Sequence, residues 1–290
     1  MCIRDSTIRE LLNLLGTGDW FRDYYLLPFS GAIWSTPKDK ILDFPAHSMI
    51  SFFENHALLS RTGQHEWFTV NGGSVQYVDR LNKELVNRNV ELRLGDPIKK
   101  VRRGPFGVQI LSQKSEIEFF DHVVFATHSD DTLKMLADPS KGEATALGAI
   151  KYQPNQAVLH HDQNVMPKNR NCWASWVYTE DKKTSLNPIG LTYWMNSLQP
   201  IPESDPMFVT LNSKNKIDPY KIYDEATFMH PVYDLPALNA QKDLAENNGK
   251  KNTWFCGAWM KNGFHEDGLA SAIDVVAKFS DKISVKIAAQ

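Results

Sequence analysis

Cysteine is scarce: Cys2, Cys172 and Cys256 are the only three in a chain of 290 residues, and they stand far apart. No CxxC pair occurs, so neither a disulfide framework nor a zinc knuckle is supported, and no metal site is expected. Long apolar runs are missing too; none approaches the roughly 18 residues that a membrane span needs. Neither sign of charge dominates, since 32 basic and 34 acidic residues leave a net charge of −2. Bulk attraction to nucleic acid or to an anionic membrane is thereby excluded, although a local basic patch is not. The first twenty residues carry acids and lack a secretory layout. A reducing cytoplasm is the default compartment for such a chain.

Signatures of several reaction classes are also absent. There is no GxSxG elbow; Gly72-Gly73-Ser74 lacks the following glycine. His265-Glu266 opens like HExxH, but Leu269 stands where the second histidine is required. The phosphate-cradling pattern GxxxxGK[ST] does not occur, and Gly16-Thr17-Gly18 follows a helical stretch instead of a strand, with Phe21 in place of a third glycine. His160-His161-Asp162 is read as surface polar residues in preference to a metal site.

What is plentiful is aromatic: 8 Trp, 9 Tyr and 15 Phe. Residues 7–15 have helical spacing ended by Gly16. Trp20, Phe21, Tyr24, Tyr25, Phe29 and Trp34, broken by Pro28, Gly31 and Pro37, read either as a loop-rich corner of the core or as a substrate-cavity wall. Glu66–Val70 reads as a strand, Asn71-Gly72-Gly73 as a turn, and Ser74 as the N-cap of a helix bearing Val75, Val78, Leu81 and Leu85. Val90, Leu92 and Leu94 alternate like a strand. Ile98–Arg103, Phe106–Leu111 and Glu116–Thr127 follow as β runs, and Val123–Ala126 suits a strand buried on both faces of a parallel sheet. The stretch 131–249, with Trp173–Tyr178, Ile189–Met195 and Phe208–Leu211 as strands, reads as an antiparallel sheet with long loops. Near the end, Thr253–Cys256 is a strand leading through Gly257-Ala258 to a helix from about Leu269. That layout points helix N–H groups at something near a strand's C-terminal end.

These features in this order resemble the flavin-containing amine oxidase superfamily. The resemblance is carried by FTVNGGSVQYVDRL (68–81), LGDPIKKV (94–101), DHVVFATH (121–128) and WFCGAWMKNGFHEDGLASA (254–272). It is closer still to a bacterial branch of FAD/NAD(P)-binding oxidoreductases, through YLLPFSGAIWSTP (25–37), FPAHSMISFFENHALL (44–59), YQPNQAVLHHD (152–162), WASW (173–176), TYWMN (192–196) and HPVYD (230–234).

The resemblance implies an α/β, glutathione-reductase-like (Rossmann-like) FAD-binding domain with an α+β substrate domain containing the antiparallel sheet. Segments 66–130 and 250–290 would serve FAD, and segments 1–65 and 131–249 the substrate. The family's N-terminal strand-GxGxxG-helix unit is not found, and Met1–Ser6 look non-native. The chain is therefore expected to be a truncated piece of a longer protein, inactive by itself.

Carried over residue by residue, Ile98 would offer its backbone to the adenine, and Ala126 and Thr127 would end the strand beside the cofactor. Gly257 and Ala258 would approach the pyrophosphate and ribityl chain. Asp267, Gly268 and Leu269 would start the helix that faces the flavin, Asp267 being equally readable as a plain cap. His265 is the one titratable group nominated near the flavin, with a packing role as the competing reading.

Amine oxidases of this family frame the flavin with two aromatic rings. Here Gly268 occupies the position of one of them, and that departure turns the substrate expectation toward an apolar, fatty-acyl molecule. Trp173, Trp176, Tyr193 and Trp194 lie on two candidate strands, and some of them are expected to face its cavity instead of the core. A lipid substrate would bring peripheral membrane contact; amine oxidation, or a binding module without turnover, are the alternatives.

Overall fold

The computed structural model describes residues 6–34, 36–60, 62–63, 65–114, 116–179, 190–213 and 215–288, the side chains of 281–288 aside. In chain order the described strands are β1 (Ile98–Gly104), β2 (Gly107–Ser112), β3 (Glu118–Phe120), β4 (Val123–Phe125), β5 (Lys151–His160), β6 (Trp176–Thr179), β7 (Gly190–Trp194), β8 (Phe208–Leu211), β9 (Ile222–Val232) and β10 (Thr253–Phe255). Two compact units share them: Met1–Leu92 with Gln153–His230, and Arg93–Tyr152 with Pro231–Gln290.

The first unit opens on a helix, Ile8–Leu15, that buries Ile8, Leu11 and Leu12. Thr7 caps it through the Glu10 amide, Glu10 reaches back to the Thr7 amide, and the helix stops at Gly16. Ser6, counted in the expected non-native leader, is buried and accepts the Ala46 amide at 2.8 Å; Met1–Asp5 lie outside the described residues.

The aromatic block is helical, which corrects the expectation of a loop-rich corner. Asp19–Phe21, a π-helical stretch Arg22–Leu26 and Leu27–Trp34 run on without a break. Pro28 has no N–H to continue the ordinary ladder, and the Leu27 amide just before it bonds Arg22 O, five residues back. Aromatic side chains four apart then stack, with Trp20–Tyr24 at 4.4 Å and Tyr25–Phe29 at 5.9 Å.

The unit's sheet is antiparallel in its recorded pairings, in the order β6-β7-β8-β5-β9. The expected strand 208–211 is found at those bounds, while 173–178 and 189–195 shorten to β6 and β7; Ile189 lies outside the described residues.

The helix Val75–Asn87 starts where expected, but Ser74 makes no side-chain cap. Neither 66–70 nor 90–94 forms a strand. A strand exists only by pairing, and no described segment pairs with either of them. Trp67, Phe68, Val75, Val78, Leu81 and Leu94 are consequently exposed.

In the second unit β1, β2 and β3 form an antiparallel meander, and β4 lies parallel to β10. The run 116–127 is thus two strands, not one. Val101 and Val108 of the meander pack with Phe125, Phe255, Leu147, Leu244 and Trp259 into one core. The expected burial of β4 on both faces does not hold: Phe125 is buried, but Val124 is 50% exposed although its register partner Trp254 is buried with Cys256 and Val275.

Candidate functional site

The C-terminal ends of β4 and β10 and the helix His265–Ala288 meet in the second unit. Cys256 N–H continues the pairing to Phe125 O at 2.9 Å, and the chain then turns at Gly257. Gly257 has φ 143°, and a Cβ there would lie 2.7 Å from the Trp259 indole nitrogen. The space beside Gly257 is thus filled by the chain's own indole. That indole donates to Thr127 O at 2.9 Å. Ser271 Oγ accepts the Gly257 amide at 2.9 Å and donates to Gly268 O at 2.8 Å.

The helix begins four residues before the expected Leu269. The Asp267 carboxylate accepts the Phe264 amide at 3.0 Å, and this one-sided cap accompanies the earlier start. Asp267 is therefore a capping residue. Gly268 packs over Ala258, a Cβ on it meeting the Ala258 amide at 3.7 Å, and its φ is not in the left-handed region. Ala126, Thr127, His265 and Leu269 are exposed around this junction, and Ile98 stands on the separate meander at the start of β1. The first-turn amides of an α-helix have no carbonyl four residues back and carry its positive dipole end.

Two tyrosines near this junction were not singled out in the sequence, although YQPNQAVLHHD and HPVYD each contain one of them. Tyr233 is buried against Gly263, and burial, with Tyr152 and Asp267 nearby, raises its pKa so that it stays a neutral phenol. Tyr152 Oη accepts the Ser129 amide at 2.8 Å and lies under the His128 ring. His128, Asp130 and Asp131 have ligand atoms within 4.8 Å of one another, but Lys134 bonds both carboxylates.

The four expected substrate-wall aromatics divide between the two faces of the first unit's sheet. Trp173 and Trp194 pack edge to face at 5.3 Å with Phe208, Val158 and Val165, and the Trp173 indole donates to Pro167 O. Trp176 and Tyr193, paired across β6 and β7, meet at 5.4 Å, and Tyr193 shares a cluster with Ala32, Ala157, Leu191 and Leu211. Successive residues on a strand point to opposite faces, so Tyr193 and Trp194 lie on opposite sides of the sheet.

His160 and Asp162 are buried, which corrects their reading as surface polar residues. Asp162 N–H donates to His160 Nδ1, leaving Nε2 to donate to Thr210 Oγ1 at 2.7 Å, and Asp162 is paired with Lys221. Burial lowers the His160 pKa to about 4. In the same unit the Asn155 amide donates to His230 Nδ1 at 2.9 Å, orienting that ring.

The model of the flavin containing amine oxidoreductase family matches residues 9–192. The chain belongs to that family. Its fold is that of known flavoenzyme structures. A CLA-producing fatty acid isomerase from P. acnes superposes with a TM-score of 0.63 at 15% identity, over 96% of this chain and 67% of that one. A reduced UDP-galactopyranose mutase gives 0.60 at 12% identity, over 88% and 63%. Cyclohexylamine oxidase from Brevibacterium oxydans IH-35A gives 0.60 at 11% identity, over 97% and 69%. The chain thus spans about two thirds of the length of these proteins. No curated protein sequence matches it.

Flavin-family membership makes FAD the cofactor and the chain a member of an oxidoreductase family. The residues present fit that group. Gly268 lets the helix start close on Ala258 with no large side chain between them, Gly257 makes room for the Trp259 indole, and Ala126 and Thr127 present small side chains at the end of β4. No helix among the described residues is long and apolar enough to cross a membrane.

Proposed function

We propose that this chain is the larger part of an FAD-dependent oxidoreductase that takes a hydride from an apolar substrate of the fatty-acyl class. The observation that carries the reading is the first turn of the His265–Ala288 helix, packed through Gly268 onto Ala258 with no bulky side chain between them, in a chain of a flavin-containing family. When bound, FAD supplies the two-electron acceptor.

In this reading Gly257, Ala258 and Gly268 admit the cofactor's chain, and Ala126 and Thr127 border it from β4. Ile98 offers its backbone to the adenine. Asp267 caps the helix start, and the helix's first turn, ahead of Gly268 and Leu269, would direct its positive dipole end toward the flavin, favouring the reduced form. His265, exposed at the helix start, is the nominated proton-handling group. Segments 66–130 and 250–290 serve the cofactor, and 1–65 and 131–249 the substrate.

The acyl assignment is supported on the substrate side by Trp176, 39% exposed, beside Tyr193, whose phenol burial keeps neutral. The core behind Tyr193 is the apolar set Ala32, Ala157, Leu191 and Leu211. A structural neighbour named a fatty acid isomerase agrees with it; the family's own description favours an amine. Anaerobic bleaching of the flavin decides between them. Acyl lipids should bleach it and primary amines should not. Fast reduction by a simple amine alone would establish the amine reading, and no reduction by either would leave a binding module without turnover.

A further inference from the structure

The β1–β2–β3 meander holds two phenylalanines almost wholly in water. Phe106, in the turn between β1 and β2, is 95% exposed, and Phe119 on β3 is 75% exposed. Arg102 lies opposite Gln109, and Gln109 opposite Phe119, so these three side chains share one face. The opposite face carries the buried Val101 and Val108. A groove of about 440 Å³ runs along the exposed edge, bordered by Arg102, Phe106, Gln109, Phe119, Phe120 and Asp121.

The charges beside the rings divide by whether they are neutralised. Arg103 is spent on Asp138 and Glu143, and Glu118 on Arg93. Among the described residues Arg102 has no ion-pair partner, and Lys100 bonds only the carbonyl of Lys134, which leaves its charge intact. Asp121 is the one carboxylate bordering the groove. The edge therefore presents exposed rings that lack a polar handle next to cations awaiting an anion.

We propose that this edge docks the protein on an anionic lipid bilayer. Phe106 and Phe119 enter the boundary between headgroups and acyl chains, while Lys100 and Arg102 meet the lipid phosphates. Phenyl burial and the negative surface potential then act together, each alone being weak. Two free cations are too few to track a nucleic-acid backbone, whose binding rests on many phosphate contacts. The surface does not depend on which substrate the flavin site takes.

The test is co-sedimentation of the full chain with vesicles of phosphatidylcholine and phosphatidylglycerol, against vesicles of phosphatidylcholine alone. The protein should pellet with the anionic vesicles and much less with the neutral ones. Phe106→Ser with Phe119→Ser should lower the partition coefficient by about tenfold or more, and Arg102→Gln by about fivefold, with unchanged far-UV circular dichroism. Failure of the wild type to pellet with anionic vesicles overturns the proposal. Equal binding by the phenylalanine variants overturns the placement. A dimer that the same substitutions dissolve, without effect on vesicles, assigns the edge to a second copy of the chain and overturns it as well.

Discussion

The indole Nε1 of Trp259 donates to the main-chain oxygen of Thr127, 132 residues earlier in the chain, at 2.9 Å. This bond ties the loop after β10 to the end of β4 and holds the mouth of the parallel strands at one width. Trp259→Phe keeps the ring and loses the donor, stranding the Thr127 carbonyl. It should cost about 1 kcal/mol of stability, and Trp259→Ala about 3–5 kcal/mol. Urea unfolding of the two variants measures both, and no cost in the phenylalanine variant would mean that packing alone matters.

A Cβ added at Gly268 would meet the Ala258 amide at 3.7 Å, an ordinary contact. Gly268→Ala should fold and retain FAD. Gly268→Val should fold, because the residue is not at positive φ, yet lose flavin by crowding the space above Ala258. The ratio of flavin to protein absorbance after desalting reads the difference, with circular dichroism as the control. Wild-type flavin content in the valine variant would remove residues 257–269 from the cofactor site.

Arg103, almost wholly buried, bonds Asp138 and Glu143, with 3.0 Å from Nη2 to Glu143 Oε2. Burial pushes the Glu143 carboxyl up, but the bonds from Arg103 and Ser140 outweigh it and bring it down to about 2. The folded state therefore holds this proton less tightly than the unfolded chain does. Its contribution is complete above the unfolded value near 4.5 and fades as pH falls toward 2. Arg103→Ala leaves two acids without their partner and should cost about 3–5 kcal/mol at neutral pH. Denaturant unfolding between pH 5 and pH 2, a window set by that shift, should show wild type and variant converging.

His160 behaves with the same sign in a different window. Burial holds it at about 4 against an ordinary 6.5, so between those values the unfolded chain binds the extra proton. Stability should be full above 6.5 and fall by roughly 3 kcal/mol on the way to pH 4. His160→Gln should be less stable at pH 7, having lost the bond to Thr210, and should flatten this slope. A slope unchanged in the variant would place its origin elsewhere.

Local signals proved readable where they act within a few residues. The helix ended by Gly16, the helix after Ser74 and the strand Phe208–Leu211 lie where periodicity and turn residues put them. The Gly257-to-Leu269 layout likewise led to the parallel strand end and helix start found there, although that start, capped by Asp267, lies at His265.

Pairing and burial were settled only by the tertiary structure. Residues 90–94 alternate like a strand yet have no described neighbour to bond, while Val123–Phe125, joined to Thr253–Phe255 from 130 residues away, is one. Composition offered Trp173, Trp176, Tyr193 and Trp194 as cavity candidates without saying which of them share a face; strand register sent them in pairs to opposite faces. His160 looked like a surface histidine until Thr210 and Asp162 enclosed it. Caps, turns and periodicity are properties of neighbouring residues and are written in order along the chain. A hydrogen-bonding partner, a sheet face and the loss of solvent around a side chain depend on residues far away in sequence, which only folding brings together.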